Sequence, residues 1–331
     1  MANLPLPKPE KSEFWNRRQF LKLGIVGTGV TLAGISTQHI LPLLSSSLKA
    51  QAAINAIELD PMNTLRDFDY GMLKEENGRK IREFQIKAIN SKLQLNQAVS
   101  LISWNYNGRV PGPTLRATAG ERVRIIFENE GGHAHTMHFH GIHPAEADGV
   151  RPVRHGKTTV YEFDARPFGV HLYHCHITPV TRHISKGLYG MFIIDPPEGR
   201  PPADEIVLVM GGYDTNNDGK NELYAFNGLP NYYKTHPILI QQNKLVRLYI
   251  LNMIEFDSAA TFHIHGNFFQ VYPTGMTVKP WQKTDVVTMG TSERHILEFY
   301  YSFPGKYMFH PHQDAIAESG CIGLFEVLPQ A

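Results

Sequence analysis

Two stretches, TTVYEFDARPFGVHLYHCH at residues 158–176 and RHILEFYYSFPGKYMFHPH at residues 294–312, share one plan. Each opens on an alternating apolar strand, crosses a turn holding proline and glycine, and closes on a second strand that ends in His-x-His. Along a strand, residues two apart lie on the same face, so each such pair can present both imidazoles to one side.

The parallel extends outward. GERVRIIFEN (120–129) and HTMHFHG (135–141) precede the first stretch, and GLYGMFIIDP (187–196) follows it. NKLVRLYILN (243–252) and TFHIHG (261–266) precede the second, and GCIGLFEVLP (320–329) follows it. Runs at 122–129, 158–165, 190–196, 245–252 and 295–301 read as short strands, with no long helical period competing. The fold class is therefore all-β, as two tandem Greek-key β-sandwich domains. The proline-rich PPEGRPPADE (196–205) is the linker. The expected boundaries are a polar lead-in at 53–80, a first domain at 81–197 and a second at 198–331. Two copies of so long a unit are too few for a solenoid.

The formal net charge of +1 gives no basic footprint, so nucleic acid is not an expected partner. Residues 1–52 read as a twin-arginine signal peptide. NRRQFLKLG (16–24) sets Arg17 and Arg18 before an apolar run, and AQA (50–52) resembles a cleavage site. An uncleaved membrane anchor is the competing reading, but Gln38 and His39 interrupt the apolar run. Export implies a periplasmic or extracellular protein that folds, often with its cofactor, before it crosses.

Seventeen histidines against two cysteines point to imidazole chemistry. Cys175 stands between His174 and His176, with His183 close behind. One thiolate among imidazoles is the wrong recipe for a structural zinc site, which takes more thiolates. It suits copper, a soft metal that accepts a thiolate and imidazoles. The other clusters are His135, His138 and His140, then His263 and His265, then His310 and His312. A single strand histidine is commonly just solvated. Paired histidines at matched places in two repeated halves are not explained that way.

These motifs resemble the multicopper oxidases, specifically the two-domain kind built from cupredoxin sandwiches, from about residue 76 to the C-terminus. HTMHFHG resembles the family's H-x-x-H-x-H-G motif, and HCHI…H…GL resembles the motif that completes a blue, type 1 site. HIHG and HPH resemble the motifs of a domain carrying only its half of a three-copper cluster. The resemblance implies a type 1 copper on His135, Cys175 and His183. It implies a cluster on His138, His140, His174 and His176 with His263, His265, His310 and His312. Within that cluster His138 and His263 would hold the type 2 copper and the other six the type 3 pair, about four coppers per chain in all. Cys175 would then be the electron wire between the two sites. Pro311 replaces that cysteine in the second half, so no blue copper is expected there. Cys321 reads as a buried core thiol.

The family pattern puts the axial residue of the type 1 site at Leu188, which cannot ligate. The rival is Met191, a thioether three residues on, but an odd offset along a strand faces the other way. Asp148 and Glu318 follow cluster motifs and could relay protons, or equally be a turn acid and a surface acid. DTNNDGKNE (214–222) opens like a calcium loop, yet Ala225 stands where that loop needs its glutamate, so a hairpin turn is the better reading. His133, His143, His155, His171, His236 and His295 read as non-ligands.

The resemblance implies an exported, laccase-like oxidase that couples one-electron oxidation of a donor, a small molecule or a redox protein, to reduction of dioxygen to water. The two-domain oxidases it resembles are rings of three subunits with clusters between chains, so a homotrimer is expected. Copper nitrite reductase is the alternative enzyme. That family has one type 2 copper on three histidines, an aspartate where this chain has His138, and no equivalent of His176. A non-catalytic copper-binding electron carrier is the alternative from another class, for which the cluster histidines would be surplus.

Overall fold

A computed structural model describes residues 56–57 and 59–330. The twin-arginine segment lies outside the described residues. The described residues form one compact unit built from two β-sandwiches.

In the first sandwich, one sheet is built around the long strand Arg79–Gln94, which runs parallel to Arg122–Asn129, itself antiparallel to Lys157–Asp164. The facing sheet orders Phe68–Asp69, Thr114–Thr118, Tyr189–Asp195, Gly169–His174 and His138–Phe139. The second sandwich repeats these relations. Asp204–Tyr213 runs parallel to Val246–Met253, which is antiparallel to Arg294–Phe299. Its facing sheet orders Ile238–Gln241, Gly323–Leu328, Gly305–His310, Ala259–Ile264 and Val286–Gly290. The same crossovers occur twice, as Greek-key sandwiches require. The helices among the described residues are single turns of four to six residues.

The lead-in differs from the expectation of a segment outside the sandwich. Phe68–Asp69 adds a strand to one sheet and Met72–Glu76 adds one to the other. Leu65 is fully buried in the core of the second sandwich. Polar composition hid this, because short edge strands need few apolar residues to hold their pairing.

Each sandwich has its own core, and a third apolar cluster lies between them. In that cluster Val170, Leu172, Met191 and Ile193 of the first sandwich meet Val207, Val209, Tyr249 and Leu251 of the second. The strands Gly169–His174 and Val246–Met253 are thus buried on both faces, which explains their nearly unbroken apolar character. At the edge of this seam Arg116 forks onto Asp195 and Glu205, joining the two sandwiches across the linker. The strand that ends at His174 is therefore clamped from both sides, which fixes the position of the residues that follow it.

Candidate metal centres

Cys175 comes directly after the strand Gly169–His174, and its N–H donates to the Leu188 carbonyl at 3.1 Å. His183 lies in the single-turn helix Val180–Ser185, and His135 forms an isolated bridge with Val153. These three segments converge on one buried point. His135 Nδ1 is 3.3 Å from His183 Nδ1, while Cys175 Sγ is 3.2 Å from His183 Nδ1 and 3.9 Å from His135 Nδ1. All three residues are buried.

A circle through three atoms so spaced has a radius of about 2 Å, close to the length of a metal–imidazole bond. The donors therefore fit a metal at their centre. Burial, with the neighbouring histidines, pushes His135 down to about 3 and His183 down to about 4. Both imidazoles are then neutral near pH 7 and have a lone pair to offer. Burial pushes the Cys175 thiol up, so a coordinated metal must displace its proton. Leu188 packs in the same apolar cluster as Cys175, whereas Met191 belongs to the cluster between the sandwiches. The two side chains leave the chain on opposite faces.

Trp104 covers this site from outside, its ring centre 4.9 Å from that of His183 and 5.6 Å from that of His135. The Arg182 guanidinium stands 5.6 Å over the indole. Beside them is a shallow cavity of about 310 Å³ lined by Trp104, His133, Ile177, Pro179, Arg182 and His183.

Behind Cys175, His138, His140 and His174 bring nitrogen atoms within 4.8 Å of one another. His263, His265 and His310 do the same in the second sandwich. The two groups match bond for bond. His138 pairs with His174 across strands, and His263 pairs with His310. His140 Nε2 faces His174 Nε2 at 2.9 Å, and His265 Nε2 faces His310 Nε2 at 3.1 Å. His174 Nδ1–H donates to the Cys175 carbonyl, and His310 Nδ1–H to the Pro311 carbonyl. His138 Nδ1–H donates to the Asp148 carbonyl and His263 Nδ1–H to the Asp285 carbonyl, both at 2.8 Å. A carbonyl only accepts, so Nδ1 carries the proton in all four rings and Nε2 keeps its lone pair for a metal. Burial pushes His140 down to about 3 and His174 down to about 4, and lowers His138 and His265 as well.

His176 and His312 stand outside the tight groups and are exposed. Their ring centres lie 4.9 Å from His138 and 5.3 Å from His263 respectively. Their backbone N–H groups donate to Thr136 Oγ1 and Thr261 Oγ1. Each threonine sits two residues before His138 or His263, a further element of the repeat that the sequence carries. Among the described residues, no metal-competent group combines histidines from both sandwiches.

The two relay candidates separate. The Asp148 carboxylate is 3.0 Å from His138 Nδ1 and 3.4 Å from His143 Nε2, so His143, read as a bystander, joins this corner. Glu318 ends the helix Asp314–Glu318 and is exposed, and its side chain makes no hydrogen bond or ion pair among the described residues. In the 214–222 loop Asp214, Asp218 and Glu222 gather, but their carboxylates mostly accept from the loop's own backbone. Cys321 is fully buried in the second core.

Paired cupredoxin sandwiches with a thiolate–imidazole triangle and doubled histidine groups define a copper redox protein. Multicopper oxidase family models match residues 88–199 and 199–331, and the chain belongs to the multicopper oxidase family. The crystal structure of a multicopper oxidase superposes with a TM-score of 0.81 at 46% identity, covering 82% of this chain and 98% of that one. The copper-containing nitrite reductase of Neisseria gonorrhoeae is 26% identical over 272 residues, 73% of this chain and 67% of that protein. The L-ascorbate oxidase of Cucumis sativus is 38% identical over 141 residues, 38% of this chain and 23% of that protein.

Proposed function

We propose that the protein is an exported, laccase-like oxidase that takes single electrons from a donor and reduces dioxygen to water. Four electrons and four protons per dioxygen give two waters. Bound copper supplies the redox chemistry, and storing four electrons avoids release of partly reduced oxygen.

His135, Cys175 and His183 would hold the type 1 copper in this reading, and Leu188, packed in the same apolar cluster as Cys175, would offer it no ligand atom and help keep water out. The cavity beside Trp104 and His183 is where a small-molecule donor or a redox protein approaches. Cys175 links that site to His174 and His176 on either side of it. His138 and His263 would hold the type 2 copper, and His140, His174, His176, His265, His310 and His312 would hold the type 3 pair, for about four coppers per chain. Asp148, fixed at His138, is the favoured proton relay. Because each sandwich holds half of the cluster, the first domain of one chain meets the second domain of another, in a homotrimer. A closing ring of such contacts is heterologous. The twin-arginine segment directs the protein to the periplasm or beyond.

One observation carries the preference for dioxygen over nitrite: the histidine arrangement is doubled, with the same hydrogen bonds at His138, His174 and His176 as at His263, His310 and His312. A nitrite-reducing site on three histidines leaves that second set without a purpose. The test is oxygen uptake by the copper-loaded protein with a one-electron donor, run beside nitrite under argon. Four donor electrons per dioxygen are expected, with little nitric oxide. Rapid nitric oxide formation without oxygen uptake reverses the assignment.

A further inference from the structure

We infer that the electron donor is a small aromatic anion, its ring resting on Trp104 and Pro179 and its acid group bound by Arg182, so that Arg182 sets donor specificity. This rests on the reading in which the site of His135, Cys175 and His183 takes up the donor's electron.

Arg182 belongs to an unusual set. Among the described residues, every arginine side chain donates a hydrogen bond to a protein acceptor except those of Arg151, Arg154 and Arg182. All three are exposed. They are not scattered over the molecule. Arg182 directly precedes His183, and Arg151 and Arg154 stand on either side of Val153, the bridge partner of His135. The guanidinium groups without a protein acceptor thus belong to the segments that carry or brace the type 1 triangle.

Of the three, Arg182 alone lines the cavity beside His183. Its guanidinium lies 5.6 Å over the Trp104 indole. Such packing on an aromatic ring steadies the planar group and leaves its edge N–H donors free for a carboxylate. Ile177 and Pro179 add apolar wall, and no carboxylate lines the cavity. Asp214 and Glu255 come near the same helix, at Lys186 and Thr181, but neither lines the cavity or pairs with Arg182.

Apolar walls, one fixed cation and no acid favour a flat apolar body with a negative charge and disfavour a cationic one. The cavity volume of about 310 Å³ is at the small end for ligand sites, enough for one substituted ring and not for a folded domain. Phenols that carry a carboxylate fit this description. Each gives one electron to the type 1 site and its phenolic proton to solvent, with dioxygen as the final acceptor.

The test uses the copper-loaded full chain at pH 7 and a matched pair of donors, 4-hydroxy-3,5-dimethoxybenzoate and its methyl ester. Decay of the blue band under argon gives the rate of electron uptake from each, whatever the final acceptor. Arg182→Gln is expected to slow the carboxylate about fivefold at low donor concentration, the scale of one exposed ion pair, and to leave the ester within about twofold. Arg182→Lys keeps the charge and is expected to recover part of the loss. Salt at about 0.5 M is expected to weaken the wild-type preference for the carboxylate and to leave that of Arg182→Gln unchanged. The blue spectrum before mixing is expected to be the same in all variants. Equal slowing of both donors overturns the proposal, because it marks damage to the His183 turn. Arg154→Gln removes a charge outside the cavity and is expected to change neither rate by more than about twofold. If it slows the carboxylate as much as Arg182→Gln does, the whole face acts together, as for an acidic redox protein, and the small-anion proposal fails. A copper-loaded wild-type protein with no blue band defeats the parent reading instead, before any donor is compared.

Discussion

The Nε2 atoms of His140 and His174 face each other at 2.9 Å, while the peptide after His174 belongs to Cys175, whose sulfur turns to the other site. One residue step thus separates the two candidate metal centres, and variants on either side are expected to fail in opposite ways. Cys175→Ser removes the thiolate, so the blue colour and donor oxidation are lost while cluster copper is retained. His310→Ala leaves the blue site reducible by donors but stops its reoxidation by oxygen. Absorbance and metal analysis of the two variants check this, and a blue serine variant refutes the Cys175 assignment.

Leu188 and Met191 lie on opposite faces of their segment. Leu188→Met brings a weak thioether to the type 1 site, stabilises the cupric state and lowers the potential. Met191→Leu repacks the cluster between the sandwiches and leaves the potential close to wild type. A redox titration decides the matter, and a large shift confined to Met191→Leu reverses the axial assignment.

Gly131 makes room for His135. A Cβ there comes within 2.6 Å of His135 Nε2 and 2.7 Å of its Cδ2, and the ring is fully buried with nowhere to withdraw. Gly131→Ala is expected to cost about 1–3 kcal/mol through overpacking and to turn the imidazole off the triangle. A weaker, shifted blue band with the cluster spectrum preserved is the predicted result. An unchanged band shows that the loop yields instead.

The seam between the sandwiches is expected to fail in acid. Burial acts to raise the Glu205 carboxyl, but hydrogen bonds from Arg116 and Tyr249 outweigh it and leave the folded-state value lowered. Such a group stabilises the fold above its unfolded value of about 4.3, and that contribution is lost as pH falls through the lower folded value. Arg116→Gln leaves Glu205 and Asp195 short of a partner and is expected to destabilise the chain by about 3 kcal/mol at pH 7. The deficit should shrink as pH drops through 4. Urea melts at several pH values measure it, and a deficit that does not change with pH counts against this account.

The separation of the two histidine groups predicts complementation. One variant has His138 and His140 replaced, and a second has His263 and His265 replaced. Each is inactive alone, and co-expression is expected to restore part of the oxidase activity if clusters span chains. No recovery in mixed oligomers places the whole cluster within one chain.

The features legible in the chain alone are those carried by local period. Alternation marked the strands, and His-x-His on a strand end announced two imidazoles on one face. The odd spacing of Leu188 and Met191 already put them on different sides. Cys175 between His174 and His176 was enough to suggest copper, because ligand softness belongs to residue type and needs no coordinates. Other features depended on which distant segments the sheets bring together. Asp285 has no local mark tying it to His263, and Trp104 has none tying it to His183. Nothing in the sequence distinguishes Asp148, which reaches a histidine, from Glu318, which does not. The lead-in strands and buried Leu65 escaped for the same reason. A period of two or of 3.6 reports only the face a residue takes within its own element. Which element lies opposite that face is set by strand register and by the packing of one sandwich on the other, and neither is written in any single stretch of the chain.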